Sequence, residues 1–186
     1  MAVKTEKLTF QDASFLRLES PERPFHVAGM MILKQPEPMP RGYYRKLARH
    51  CGRLNELWPI FNKKLKDPES LRNPAWVEAR DYDPAYHVFH YALPSSGKIE
   101  DLLTLVSRVH ERMLDRHRPL WEIHVVEGLP GKRFAVYCKV HHALVDGVGA
   151  MKMLQGLFST DPRARLDFSV RDEPLREYHH HGLFDQ

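Results

Sequence analysis

Phe134-Ala135-Val136-Tyr137-Cys138-Lys139-Val140-His141-His142-Ala143-Leu144-Val145-Asp146-Gly147 is the stretch on which the reading of this chain turns. Its first seven residues form an apolar run of strand type and length. Two histidines, an aspartate and a glycine come next, where the strand must give way to a turn, ahead of a helix predicted over 148–158. Successive side chains of a strand point to opposite faces. If the strand persists through His142, the two imidazoles cannot both face one site.

Upstream, Glu127-Gly128-Leu129-Pro130-Gly131 suits a hairpin turn joining a strand over 123–126 to the strand over 134–140. Before it, Ile99, Leu102, Leu103, Val106, His110 and Met113 mark one face of a helix. Ser95-Ser96-Gly97 offers that helix an N-cap, and Glu100 and Asp101 sit in its first turn, where acids favour the helix dipole. From Trp58 to Tyr91, three short apolar groups separated by prolines read as short strands, Trp58-Pro59-Ile60-Phe61 among them.

Nearer the N-terminus, Thr9 and Asp12 resemble a capping box opening a short helix that ends near Glu19-Ser20-Pro21. A buried strand is predicted over 26–33, then a helix from about Arg41 to Gly52. From Ser159 onward large apolar residues become scarce, as in an exposed linker. Strands and helices mix without strict alternation, which predicts an α+β fold with a mixed sheet flanked by helices.

The bulk composition limits function. The 186 residues, 42% hydrophobic and 28% charged, suit one domain or one and a half with a real core. No run approaches the roughly 18 apolar residues of a membrane-spanning helix. No secretory signal is visible, and Cys51 and Cys138 lack metal-type spacing, so the expectation is an intracellular, cytoplasmic protein with free thiols. A net charge of +4 attracts anions mildly but is spread out, so nucleic acid is not implied. The tail histidines His179, His180 and His181 read as solvated, and a site built from His142, Asp146 and His124 or His110 would need unpredictable tertiary contact. No metal is expected.

An imidazole with an ordinary pKa near 6.5 is mostly neutral at pH 7 yet ready to take a proton, and a strand-end turn lets it reach into a cleft. Asp146 can orient a ring or pair with a cation, and Gly147 allows a sharp turn. A bare histidine pair can equally cap a strand and hydrogen-bond locally. Both readings stay open on these residues alone.

The full pattern His141-His142-Ala143-Leu144-Val145-Asp146-Gly147 resembles the HHxxxDG signature of the CoA-dependent acyltransferase superfamily, which includes chloramphenicol acetyltransferase-like enzymes and the condensation domains of peptide synthetases. Pro119-Leu120-Trp121-Glu122, Phe15-Leu16 with Asp12, and Phe25-His26-Val27 narrow the resemblance to the bacterial wax ester synthase/acyl-CoA:diacylglycerol acyltransferase family, over about residues 5–158.

The resemblance implies a fatty-acyl transfer from acyl-CoA, as substrate rather than resident cofactor, to a long-chain alcohol or diacylglycerol. His142 would be the general base. His141 would support the loop, and Asp146 would hold it by pairing with Arg116 or Arg118. Pro119, Leu120 and Trp121 match a motif associated with the substrate channel, although plain core packing would bury Leu120 and Trp121 equally well.

The same resemblance implies one half of a two-domain, chloramphenicol acetyltransferase-like enzyme. Residues 1–158 would be the half carrying the histidines, and 159–186 a linker towards a second, C-terminal acyltransferase domain absent from this chain. Alone, the chain should be poorly active, because groups completing an oxyanion site are typically worth roughly 3–4 kcal/mol. A lipid acceptor would imply peripheral contact with a membrane or lipid inclusion. Two other readings are a carrier-protein-dependent condensation or polyketide-associated acyltransferase, and a noncatalytic binding half-domain in which the histidines are structural.

Overall fold

The computed structural model describes residues 5–94 and 97–145. Asp146, Gly147, the helix expected over 148–158 and the segment 159–186 lie outside the described residues.

The chain opens with a short strand, β1 (Thr5–Lys7), and a helix, α1 (Phe10–Leu18). Thr9 is the N-cap as expected: the Asp12 amide donates to Thr9 Oγ1 (3.1 Å), while Asp12 Oδ2 accepts from that hydroxyl (2.6 Å) rather than from the Thr9 amide a full capping box would use. Next come β2 (His26–Lys34), α2 (Tyr43–Cys51) and the single turn α3 (Leu54–Leu57). After these stand β3 (Lys63–Leu65), β4 (Ala75–Glu78), β5 (Val88–Ala92), α4 (Ile99–Glu111), β6 (Trp121–Leu129) and β7 (Arg133–His141).

Two local expectations change. Trp58-Pro59-Ile60-Phe61 is not a strand: Pro59–Asn62 forms a 3₁₀ turn in which the Phe61 amide donates to Trp58 O at 3.0 Å. Proline at the first helical position has its φ preset and its missing N–H costs nothing there. At the start of α4 the capping position falls to Lys98, which makes no side-chain cap bond, and Ser95 and Ser96 lie outside the described residues. Gly97 is needed instead for its backbone: its φ is +55°, and a Cβ there would stand 2.4 Å from Gly128 O.

Strands β1, β4 and β3 make a small antiparallel sheet. The main sheet has the order β2-β7-β6-β5, with β2, β7 and β6 antiparallel and β5 parallel to β6, so it is mixed as expected. Each face of this sheet has its own core. Phe134 and Val136 join Tyr44, Leu54, Phe61, Trp121, Ile123 and Val125 on one face. Ala135, Val126 and Leu129 pack against Leu102 of α4 on the other. Among the described residues, no helix is long and apolar enough to cross a membrane.

The register places the histidine pair. His26 of β2 lies directly across from His141, and Trp121 of β6 pairs with Val140. The end of β7 is therefore enclosed by the start of both neighbouring strands.

Candidate active site

Four main-chain hydrogen bonds fix the corner. The His141 amide donates to Leu120 O (3.0 Å) and the His142 amide to Phe25 O (2.9 Å), while the amides of Leu144 (2.9 Å) and Val145 (3.4 Å) return to His141 O. The strand ends at His141, and His142 begins the turn. Two neighbouring histidines thus acquire different surroundings.

His141 is fully buried. Its Nδ1 accepts from the Ala143 amide at 3.0 Å, which places the neutral ring's proton on Nε2. That nitrogen lies 3.2 Å from Glu19 Oε1, a charge contact whose angle falls short of a well-formed hydrogen bond. Nδ1 is occupied as an acceptor and Nε2 carries the proton, so the ring has no lone pair left for a substrate.

Glu19 is the centre of a buried charge cluster at the end of α1. Its Oε1 accepts from the Phe25 amide (3.0 Å), and its Oε2 from Arg116 Nη2 (3.0 Å), which also donates to Leu16 O (2.8 Å). Burial opposes ionisation of this carboxyl, but the His141 contact, the Phe25 amide and the Arg116 guanidinium outweigh it and hold its pKa at about 2. Glu19 is therefore a carboxylate at neutral pH, and it ties α1, the segment before β6 and the histidine corner together.

His142 is partly exposed, and its ring stacks on Phe15 of α1 with centroids 4.9 Å apart and planes 21° from parallel. Phe15 in turn leans on Phe25 at 5.7 Å. An aromatic wall on one side and a main-chain bond on the other give this imidazole a defined seat next to solvent. A partly exposed imidazole so held can accept a proton from a bound hydroxyl.

Of the other expected site residues, Pro119, Leu120 and Trp121 are buried. Trp121 Nε1–H donates to Phe61 O at 2.9 Å, and its ring stacks on His87 at 4.6 Å. Pro119 and Leu120 lead into β6, which begins at Trp121, and Leu120 O holds the main chain of His141. Asp146 and Gly147 lie outside the described residues. The two arginines considered as partners of Asp146 both have other contacts: Arg116 is on Glu19, while Arg118 Nε donates to Asp115 Oδ2 at 3.2 Å and its guanidinium covers the Tyr86 ring.

The sequence reading missed Glu19, which looks like an ordinary solvated acid at a helix end. It also passed over Lys139, although a lysine inside the run from Phe134 to Val140 is a signal, since a buried charge needs partners. Among the described residues, no group of three or more histidine, cysteine, aspartate or glutamate side chains is arranged to hold a metal.

Comparison with known proteins identifies the family. The sequence profile of the wax ester synthase/diacylglycerol acyltransferase catalytic domain matches residues 8–181. A relative from Mycobacterium tuberculosis named "Probable diacyglycerol O-acyltransferase tgs2" is 45% identical over 152 residues, covering 81% of this chain and 34% of its own. The wax ester synthase/diacylglycerol acyltransferase from Marinobacter aquaeolei VT8 is a similar solved structure, with a TM-score of 0.77 and 40% identity over 86% of this chain and 40% of that one. The tallysomycin biosynthesis protein TlmII, at 18% identity and a TM-score of 0.62 over 83% of this chain and 37% of its own, shares the fold. The chain spans about a third of the length of the curated relatives it matches. It belongs to the wax ester synthase/diacylglycerol acyltransferase catalytic domain family.

Proposed function

We propose that this chain supplies the general base of an O-acyltransferase that moves a fatty acyl group from acyl-CoA to a long-chain alcohol or diacylglycerol. His142 takes the proton from the acceptor hydroxyl. The freed oxygen attacks the thioester carbonyl, the C–S bond breaks as the tetrahedral centre collapses, and the imidazolium returns its proton to the departing CoA thiolate. No acyl-enzyme is needed, because one positioned base serves both substrates.

The observation that carries this reading is the division between neighbouring histidines: His141 is buried with Nδ1 occupied and Nε2 facing Glu19, whereas His142 is partly exposed against Phe15. In this reading Asp146 and Gly147 shape the loop, and Pro119, Leu120 and Trp121 serve the substrate channel from the core by setting the main chain of His141. Residues 1–158 act as the half that carries the histidines, with 159–186 leading to a second acyltransferase half that completes the oxyanion site and CoA channel. The lipid acceptor is met at a membrane or lipid-inclusion surface.

The test is thiol release from a long-chain acyl-CoA with hexadecanol or diacylglycerol, using this chain alone and together with a polypeptide corresponding to the remaining length of a relative. His142→Ala should lower turnover by about 10²–10⁴-fold, the usual worth of a general base. His141→Ala should keep a measurable fraction. Equal losses in two folded variants would overturn the assignment.

A further inference from the structure

The α4 end of the sheet carries a buried charge for which transfer chemistry has no use. Lys139 lies on β7 two residues before His141, on the same face of the strand, and its side chain has no exposure to solvent. Its ammonium donates to Val109 O at 2.9 Å and to Arg112 O, with Glu122 Oε2 3.8 Å away. Helix α4 ends at Glu111. The last four carbonyls of a helix lack intrahelical partners and carry the negative end of its dipole. Lys139 therefore acts as the helix's C-terminal cap, reached from a neighbouring strand. His26, directly across β2 from His141, adds to the cap by donating from Nε2 to His110 O at 2.7 Å.

The connection leaving α4 makes this cap matter to the site. Residues 112–120 run from the capped end to β6, and they carry two grips on the histidine corner. Arg116 holds Glu19, which faces His141, and Leu120 O receives the His141 amide. The segment is thus anchored at its start by a side chain of β7 and at its end by the main chain of β7, two residues apart.

We infer that Lys139 is a positioning residue for the histidine pair, its ammonium fixing the end of α4 so that the 112–120 segment delivers Arg116 and Leu120 to Glu19 and His141. Its relevance to turnover rests on the function proposed above, but the placement is testable without turnover. A lysine that only stabilised the helix would leave the ring environment of His141 unchanged when removed.

The test uses the full chain with ¹⁵N-labelled histidine rings. In the wild type, His141 should show an unprotonated Nδ1 and a slowly exchanging Nε2–H. Lys139→Met should erase that slow exchange and raise amide exchange in 113–120 and at His141 by at least tenfold, while the β1-β4-β3 sheet stays protected. A Lys139→Met protein with lowered melting temperature but wild-type His141 ring signals and wild-type exchange in 113–120 would overturn the inference.

Native-state exchange of the wild type in rising denaturant supplies a reading that does not depend on the variant folding. The last turn of α4, 113–120 and 141–143 should open as one cooperative unit; separate opening would overturn the coupling. In the active assembly, Lys139→Met should lower kcat about 10- to 100-fold, the scale of a small misplacement of reacting groups, with KM nearly unchanged. If His142→Ala leaves turnover intact, the base assignment fails, while the ring and exchange measurements still decide the role of Lys139.

Discussion

Glu19 Oε1 lies 3.2 Å from His141 Nε2, and each side chain is only 1% exposed. The contact joins the end of the first helix to the end of the last described strand, and Arg116 completes it from the segment between α4 and β6. A carboxylate buried against a guanidinium and an imidazole N–H holds the inner histidine as structure and lets the outer one take a different role.

Acid stability should report on Glu19. Its folded pKa of about 2 lies below the ordinary 4.5, so the unfolded chain takes up the proton first as pH falls. The stabilisation is complete above about pH 5 and is lost as pH drops towards 2, with a total on the order of 3 kcal/mol. Urea titrations across that window should show this loss in the wild type. Glu19→Gln should be less stable at pH 7 by a similar amount and should show a flatter acid limb.

Leu120 and Trp121 are 0% and 2% exposed, so their truncation should cost core energy. Trp121→Ala is expected to lose about 3–5 kcal/mol and Leu120→Ala about 2–5 kcal/mol in denaturant titrations. Wild-type stability with altered acyl-chain preference would show that they act only as channel lining.

Phe15 stacks on the ring of His142. If His142 is the base proposed above, Phe15→Ala should lower kcat of the active assembly by about 10- to 100-fold with little change in KM, because the imidazole loses its seat. Circular dichroism and a urea midpoint separate this effect from unfolding. A variant with unchanged kcat would show that the stacking wall is dispensable.

Gly97→Ala should destabilise the chain by about 1–3 kcal/mol, since it places a Cβ against the Gly128 carbonyl at a left-handed backbone position. Its neighbour Lys98 is exposed, and Lys98→Ala should change the urea midpoint little. Equal stability of the two variants would contradict the packed Gly97–Gly128 approach.

Much of the fold was legible because it is written in local patterns. The period-two and apolar runs placed β2, β6 and β7, the 3.6 period placed α4, and Thr9 with Asp12 announced α1. The Trp58–Phe61 run misled because four apolar residues fit a strand or a single turn equally, and Pro59, which has no N–H to give a ladder, is at home in the first turn of a helix. In the same way the motif put both histidines at one corner, but the strand ends at His141, so it is the turn and its neighbours, not strand alternation, that give the two rings different surroundings.

What the sequence by itself determined was the family, the strand-to-turn position of His141 and His142, and the residue types able to carry the chemistry. Which histidine is enclosed, and by what, belongs to tertiary structure alone. Glu19, Arg116 and Lys139 stand far apart in sequence, and their charges become meaningful only when β2, β6 and β7 close around one corner and remove water from it. Burial then makes each charge need a partner. No local pattern records which distant residue will supply that partner.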